Sequence, residues 1–146
     1  MPSNYFENYG VISLTSATVS ITDEGYLGSR IILNRAAGIT VTMPAATGSG
    51  NRYEFIVGTA LSGANYVIAA LGTDIMAGHA ILSQDSADTV VMFETAADTD
   101  KITMSGTATG GVRGARIVLD DIASGVWAVQ MISNASGSEA TPFGNT

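Results

Sequence analysis

Few groups in this 146-residue chain have the types and spacing for chemistry. The single histidine, His79, lies between Gly78 and Ala80 in an apolar stretch, with no acid or nucleophile beside it in sequence. One imidazole cannot build a His-rich metal site. A serine nucleophile, for which there is no G-x-S-x-G elbow, would have to recruit the same ring. His79 therefore reads as a structural or surface residue, with a place on a trimer axis as its other role. The carboxylates pair as Asp85 and Asp88, Asp98 and Asp100, and Asp120 and Asp121. All six fall in expected turns, where aspartate hydrogen-bonds nearby backbone. None has the alternating-acid spacing of a dedicated calcium loop. A glycosidase pair is defined by carboxylate separation in space, which spacing along the chain does not give.

The glycine loops TGSG (47–50) and ATGG (108–111) invite comparison with phosphate cradles. Neither has the lysine of a P-loop or the strand–helix setting of a dinucleotide site, so both read as reversals between strands. Trp127 and Tyr66 have faces that can stack on a sugar, although aromatics within strands more often fill a core. No catalytic, cofactor-binding or metal-binding residue is assigned, and the expectation is a protein that is not an enzyme and takes no cofactor.

The elements that carry these residues are β-strands. Residues 39–58, ITVTMPAATGSGNRYEFIVG, alternate apolar and polar positions on either side of PAATGSGN, which predicts two strands joined as a hairpin. Laid 61 residues further on, 41–58 matches 102–119 at six of 18 positions, including Met43 on Met104 and Arg52 on Arg113, a candidate internal repeat. Strands are also expected over 11–21, 30–35, 66–71, 75–82, 89–95, 116–119 and 126–132, with a helix as the alternative over 74–82. Short loops between the early strands favour antiparallel pairing. The sum is an all-β domain over residues 11–135, an antiparallel β-sandwich, jelly roll or barrel of nine to eleven strands with at most a short helical turn. Residues 1–10 form an arm and 136–146 a polar tail.

Charged residues make up only 13% of the chain against 46% hydrophobic, so self-association, with the trimer as the expected form, is the reading for its weakly charged surface. Six basic and thirteen acidic residues give a net charge of −7 with no basic track, which argues against nucleic acid. No apolar run reaches the length of a membrane span, and MPSNYFENYG lacks the features of a secretory signal, so synthesis in a cytoplasm is expected. The arm holds Tyr5, Phe6 and Tyr9, three of only ten aromatics, and the tail holds Phe143. These four are the expected partner-binding residues, with capping of the domain's own core as the other reading of the arm.

Together, ITVTMPAATGSGNRYEFIVGT, DIMAG (74–78), TATGGVRG, DIASGVWAV and the terminal ATPFGNT resemble segments of small virion proteins of tailed bacteriophages, of the capsid decoration or cement type. The resemblance covers about residues 30–146. It implies a homotrimer on the outer capsid surface that contacts the major capsid protein and strengthens the lattice. The same short segments also resemble parts of other phage proteins, for which a place in tail or fibre is the other reading, and this leaves a tail or fibre protein binding host glycans as the alternative. A hydrolase acting on the host surface is a third reading, and the weakness of its acid and base candidates counts against it.

Overall fold

A computed structural model describes residues 10–146. Tyr5, Phe6 and Tyr9 lie outside the described residues. The strands in chain order are β1 (Val11–Leu14), β2 (Thr18–Ser20), β3 (Arg30–Leu33), β4 (Ile39–Thr42), β5 (Arg52–Val57), β6 (Tyr66–Ala69), β7 (Ile75–Ser83), β8 (Val90–Glu94), β9 (Lys101–Met104), β10 (Arg116–Ala123), β11 (Val126–Asn134) and β12 (Phe143–Gly144). One helical turn, α1 (Asp23–Tyr26), follows β2, and the Thr22 hydroxyl accepts from Gly25 N–H at its start. The chain is an all-β sandwich. A seven-stranded sheet in the order β1-β3-β5-β10-β11-β7-β8 and a five-stranded sheet in the order β12-β9-β6-β4-β2 share one apolar core.

Alternation places the core. Tyr53, Phe55 and Val57 on β5, Ile117 and Leu119 on β10, and Trp127, Val129 and Met131 on β11 turn inward from the larger sheet. Ile39 and Val41, Tyr66 and Ile68, and Ile102 and Met104 meet them from the smaller one. Burying side chains of this size stabilises a fold by about 1.5–3 kcal/mol each.

The connectivity departs from the expected hairpins. Residues 11–21, expected as one strand, break at residues 15–17 into β1 in the larger sheet and β2 in the smaller. The segment 39–58 is not a hairpin, because β4 lies in the smaller sheet and β5 in the larger, with PAATGSGN crossing between them. Crossing reverses the chain without pairing the two strands, so each strand returns parallel to the one before last. β1, β3 and β5 are parallel, as are β2, β4 and β6. The first six strands thus wind as three flattened coils. The second half is mixed: the β10–β11 hairpin, the β5–β10 and β7–β8 pairs, and β6–β9–β12 are antiparallel, whereas β7 and β11 run parallel from Ile75 beside Val126 to Ser83 beside Asn134. Among the described residues, twelve strands in two mixed sheets stand where nine to eleven antiparallel ones are expected. Residues 74–82, the alternative helix, lie almost wholly in β7.

The two segments overlaid at 61 residues both cross from the smaller to the larger sheet, β4 to β5 and β9 to β10. Their second strands are out of phase, since Ile56 is half-buried while its counterpart Ile117 is fully buried.

Candidate functional site

The most developed polar site is built around Asp121. Residues 120–125 read as a turn from sequence, but β10 continues through Ala123 and only Ser124 and Gly125 make the reversal. Asp121 therefore keeps the inward phase of Ile117 and Leu119 and is 2% exposed. An ionised carboxylate there is tolerated only if its oxygens are saturated with donors. The TGSG loop supplies them. Thr47 N–H reaches both carboxylate oxygens at 3.0 Å, Gly48 N–H donates at 2.7 Å and Ser49 N–H at 3.1 Å. The hydroxyls of Ser49 and Thr47 donate at 2.7 and 3.2 Å. Backbone bonds continue the seam, from Gly50 N–H to Asp121 C=O at 2.8 Å and from Asp121 N–H to Asn51 C=O at 2.9 Å. Asp74 extends it by accepting from Ala46 N–H at 2.7 Å.

Burial would raise the pKa of Asp121, but the Ser49 hydroxyl and the amides of Thr47, Gly48 and Ser49 outweigh it and hold the carboxyl far below the usual carboxylate range. The loop is an anion-receiving nest of successive N–H groups, and the anion is the chain's own side chain. Gly48 takes a φ of 78° and packs over the backbone of Ala123, where an added Cβ would sit 3.3 Å from its Cα. The resemblance to a phosphate cradle is thus explained: the donors converge as they would on phosphate, and the site is filled from within. The ATGG loop plays a similar structural part, as Gly111 N–H donates to the buried Ser133 hydroxyl at 3.0 Å and a Cβ on Gly111 would lie 2.5 Å from that of Met104.

The other candidates are dispersed. Asp120, next to Asp121 but on the outward face, forms a two-pronged pair with Arg52 at 2.6 and 2.9 Å. Asp98 accepts from Asn145 at 2.7 Å and Asp100 from the Thr146 hydroxyl at 2.5 Å, so this pair holds down the C-terminal residues. Asp85 and Asp88 are exposed in the loop before β8. His79 is half-buried on the outward side of β7, between Gln130 of β11 and Glu94 of β8. Among the described residues no three His, Asp or Glu side chains are grouped to hold a metal ion. Likewise, no helix is long and apolar enough to cross a membrane.

The aromatics considered for sugar stacking are core residues. Trp127 is 1% exposed and meets Tyr53 edge-on, with ring centres 5.8 Å apart at 66°. Burial, and then the hydrogen bond it donates to Asp23, push the Tyr53 hydroxyl far above the usual tyrosine range. Tyr66 is fully buried, and its hydroxyl donates to Thr59 C=O at 2.8 Å while accepting from Arg35 N–H. None of the three offers a face to a glycan.

Phe143, expected to meet a partner, lies in β12 and packs into the chain's own core at 9% exposure. Its burial follows from pairing of β12 with β9, which places Phe143 opposite Ile102 and turns both side chains inward. The tail is an edge strand, and Phe143 is not a free docking group.

What the outward face of the larger sheet offers instead is apolar surface. Met92 of β8 pairs with Ile81 of β7, and Ile81 with Ile132 of β11, so three large side chains form one row across three strands. Met92 and Ile132 are about 60% exposed, as is Val90 two residues before Met92. Strand alternation could have revealed this row, since Ile132 and Met92 stand in the phase opposite to Met131 and Phe93. Among the described residues, open grooves flank the sheets, two of them larger than the groove beside Arg113 and Ile132. One, of about 260 Å³, is lined by Gly28, Ser29, Arg30, Arg52 and Glu54. The other, of about 210 Å³, lies beside β12 and includes Glu94, Asp98 and Asn145.

By its fold the chain belongs among two-sheet β-sandwiches, here with a coiled parallel first half. Comparison with known proteins takes this no further, as no family model, curated protein or solved structure matches it.

Proposed function

We propose that this chain is a non-enzymatic structural protein of a tailed-bacteriophage virion, a decoration or cement protein on the outer surface of the head. It stabilises the capsid lattice by binding the major capsid protein and copies of itself, with a trimer as the assembly expected from the sequence. The observation that carries this reading is the apolar row of Met92, Ile81 and Ile132 on the outward face of the larger sheet, widely exposed at Met92 and Ile132. Exposed side chains of this size mark contact surfaces when they adjoin one another. The motif resemblance of residues 30–146 supplies the kind of particle. The mechanism is added interface: a standard contact buries roughly 1,600 Å², and repetition over a lattice multiplies its effect. In this reading the protein is made in the host cytoplasm and reaches the virion by assembly.

The test is to incubate the purified chain with heads that lack it and to image the particles. Regular density on the outer surface, together with greater resistance of the heads to heating, is the expected result. Unoccupied heads would refute the proposal. Removal of residues 1–10 should abolish occupancy while leaving the circular dichroism spectrum unchanged, whereas full occupancy would reject the arm as the docking element. A tail or fibre protein binding host glycans would instead give a glycan-array signal and no head density.

A further inference from the structure

Four strands end the two sheets among the described residues: β1 and β8 in the larger, β2 and β12 in the smaller. β2 and β12 are three and two residues long, and β1 is four. Shortness protects such edges, because few backbone groups are left open. β8 is the longest of the four, at five residues, and its sequence VVMFE carries no proline and no lysine to deter pairing.

The hydrogen bonds of β8 fix which of its amides are open. Gln84 N–H donates to Thr89 C=O at 3.0 Å, and Thr95 N–H donates to Gly78 C=O at 3.1 Å. In an antiparallel ladder, bonded pairs recur at every second residue, so residues 89, 91, 93 and 95 turn their backbone groups toward β7. Val90, Met92 and Glu94 turn theirs to the open side. The same three side chains are exposed on the outward face.

We propose that β8 pairs antiparallel with β8 of a second copy about a two-fold axis at Met92, joining two seven-stranded sheets into one. In this register Met92 opposes Met92, and Val90 opposes Glu94 of the second copy, so all three open residues exchange both of their hydrogen bonds, about six in total. Neighbouring registers do worse. An axis at Val91 sets Glu94 against Asp88, and an axis at Glu94 sets the two glutamates against each other, both like-charge pairs across strands. An axis at Phe93 leaves Val90 facing residue 96, beyond the end of the strand. The register that satisfies every open amide without opposing two acids is self-complementary, as a two-fold contact between identical chains requires. It also sets the apolar rows of the two copies end to end at Met92. In a trimeric assembly the same contact joins trimer to trimer. The inference does not rest on the decoration reading and is tested on the protein alone.

The chain has no cysteine, so a single introduced thiol reports the register. Opposed residues in a bonded antiparallel pair have Cα atoms about 5.5 Å apart, within disulfide reach. Met92→Cys is expected to form a reducible covalent dimer under mild oxidation. Val90→Cys alone should not, because the two copies of residue 90 lie on opposite sides of the axis, but Val90→Cys mixed with Glu94→Cys should give the heterodimer. Met92→Lys should raise the dimer dissociation constant measured by sedimentation by at least about tenfold with an unchanged circular dichroism spectrum. A Met92→Cys protein that stays monomeric under oxidation, Val90→Cys linking as readily as Met92→Cys, or a dissociation constant unmoved by lysine would each overturn the proposal.

Discussion

Replacing Asp121 by alanine withdraws the acceptor from three backbone N–H groups and two hydroxyls at once. Hydrogen bonds to a charged group contribute about 1.5–3 kcal/mol each, and five taken at face value would exceed the stability of many domains. The sum overstates the loss, because Thr47, Gly48 and Ser49 are themselves exposed and water can reach their donors once the carboxylate has gone. A net cost of about 3–4 kcal/mol remains, in the range for breaking a buried charged network. For a chain of this length that lowers the melting temperature by roughly 6–14 °C. Urea unfolding followed by the fluorescence of Trp127, the chain's one tryptophan and a core residue, would measure it. The pH dependence gives a second readout. Because the folded carboxyl titrates well below the unfolded one, the native state binds fewer protons, and the contribution is complete above the unfolded pKa, near 4. It is lost progressively as pH falls from about 5 toward the depressed folded value. Asp121→Asn, which keeps the shape without the charge, should lack that share of the acid slope. An alanine cost below about 1 kcal/mol, or an asparagine variant with the wild-type slope, would refute the clasp.

Gly78 stands in β7 with a φ of 155°, and a Cβ there would fall 1.9 Å from the Val129 carbonyl oxygen of the adjoining strand. Gly78→Ala should therefore cost about 3 kcal/mol in urea unfolding, whereas Gly72→Ala, with a φ of 62° and open space around it, should cost about 1 kcal/mol; equal costs would reject the packing argument. Phe143→Ala removes the ring that seats β12 and should lower stability by about 3 kcal/mol while exposing the last residues to carboxypeptidase; digestion no faster than wild type would show that the tail is held by its polar contacts alone.

The strands and the core were legible because period-2 alternation is local: Tyr53, Phe55 and Val57 announce the inward face of β5 wherever that strand finds its neighbours. Pairing was not legible for the same reason. A Gly-rich loop after β4 looks the same whether the chain folds back beside itself or crosses to the other sheet, and what separates the two cases is the seam between Asp121 and residues 47–49, over 70 positions away. Asp121 itself carried a readable sign, since it continues the alternation of Ile117 and Leu119. Its charge and its neighbour Asp120 favoured a turn, and only the five donors brought by TGSG make burial tolerable. The packing of Phe143 into the core was not legible because a lone aromatic in a polar tail carries no periodicity, and its burial depends on a two-residue pairing with β9.

The winding of the first six strands governs the order in which the molecule can be completed. In the larger sheet the early coils join positions close along the chain, as Val11 beside Arg30 and Arg30 beside Glu54 illustrate, so each turn can settle on the previous one while synthesis continues. The flank of β5 has no such nearby partner. It waits for β10, whose Ile117 pairs with Phe55, and until residues 116–134 emerge the sheet exists as two separate rafts. The last hairpin is the keystone that closes them, and a nascent chain stalled before it exposes an open edge on β5.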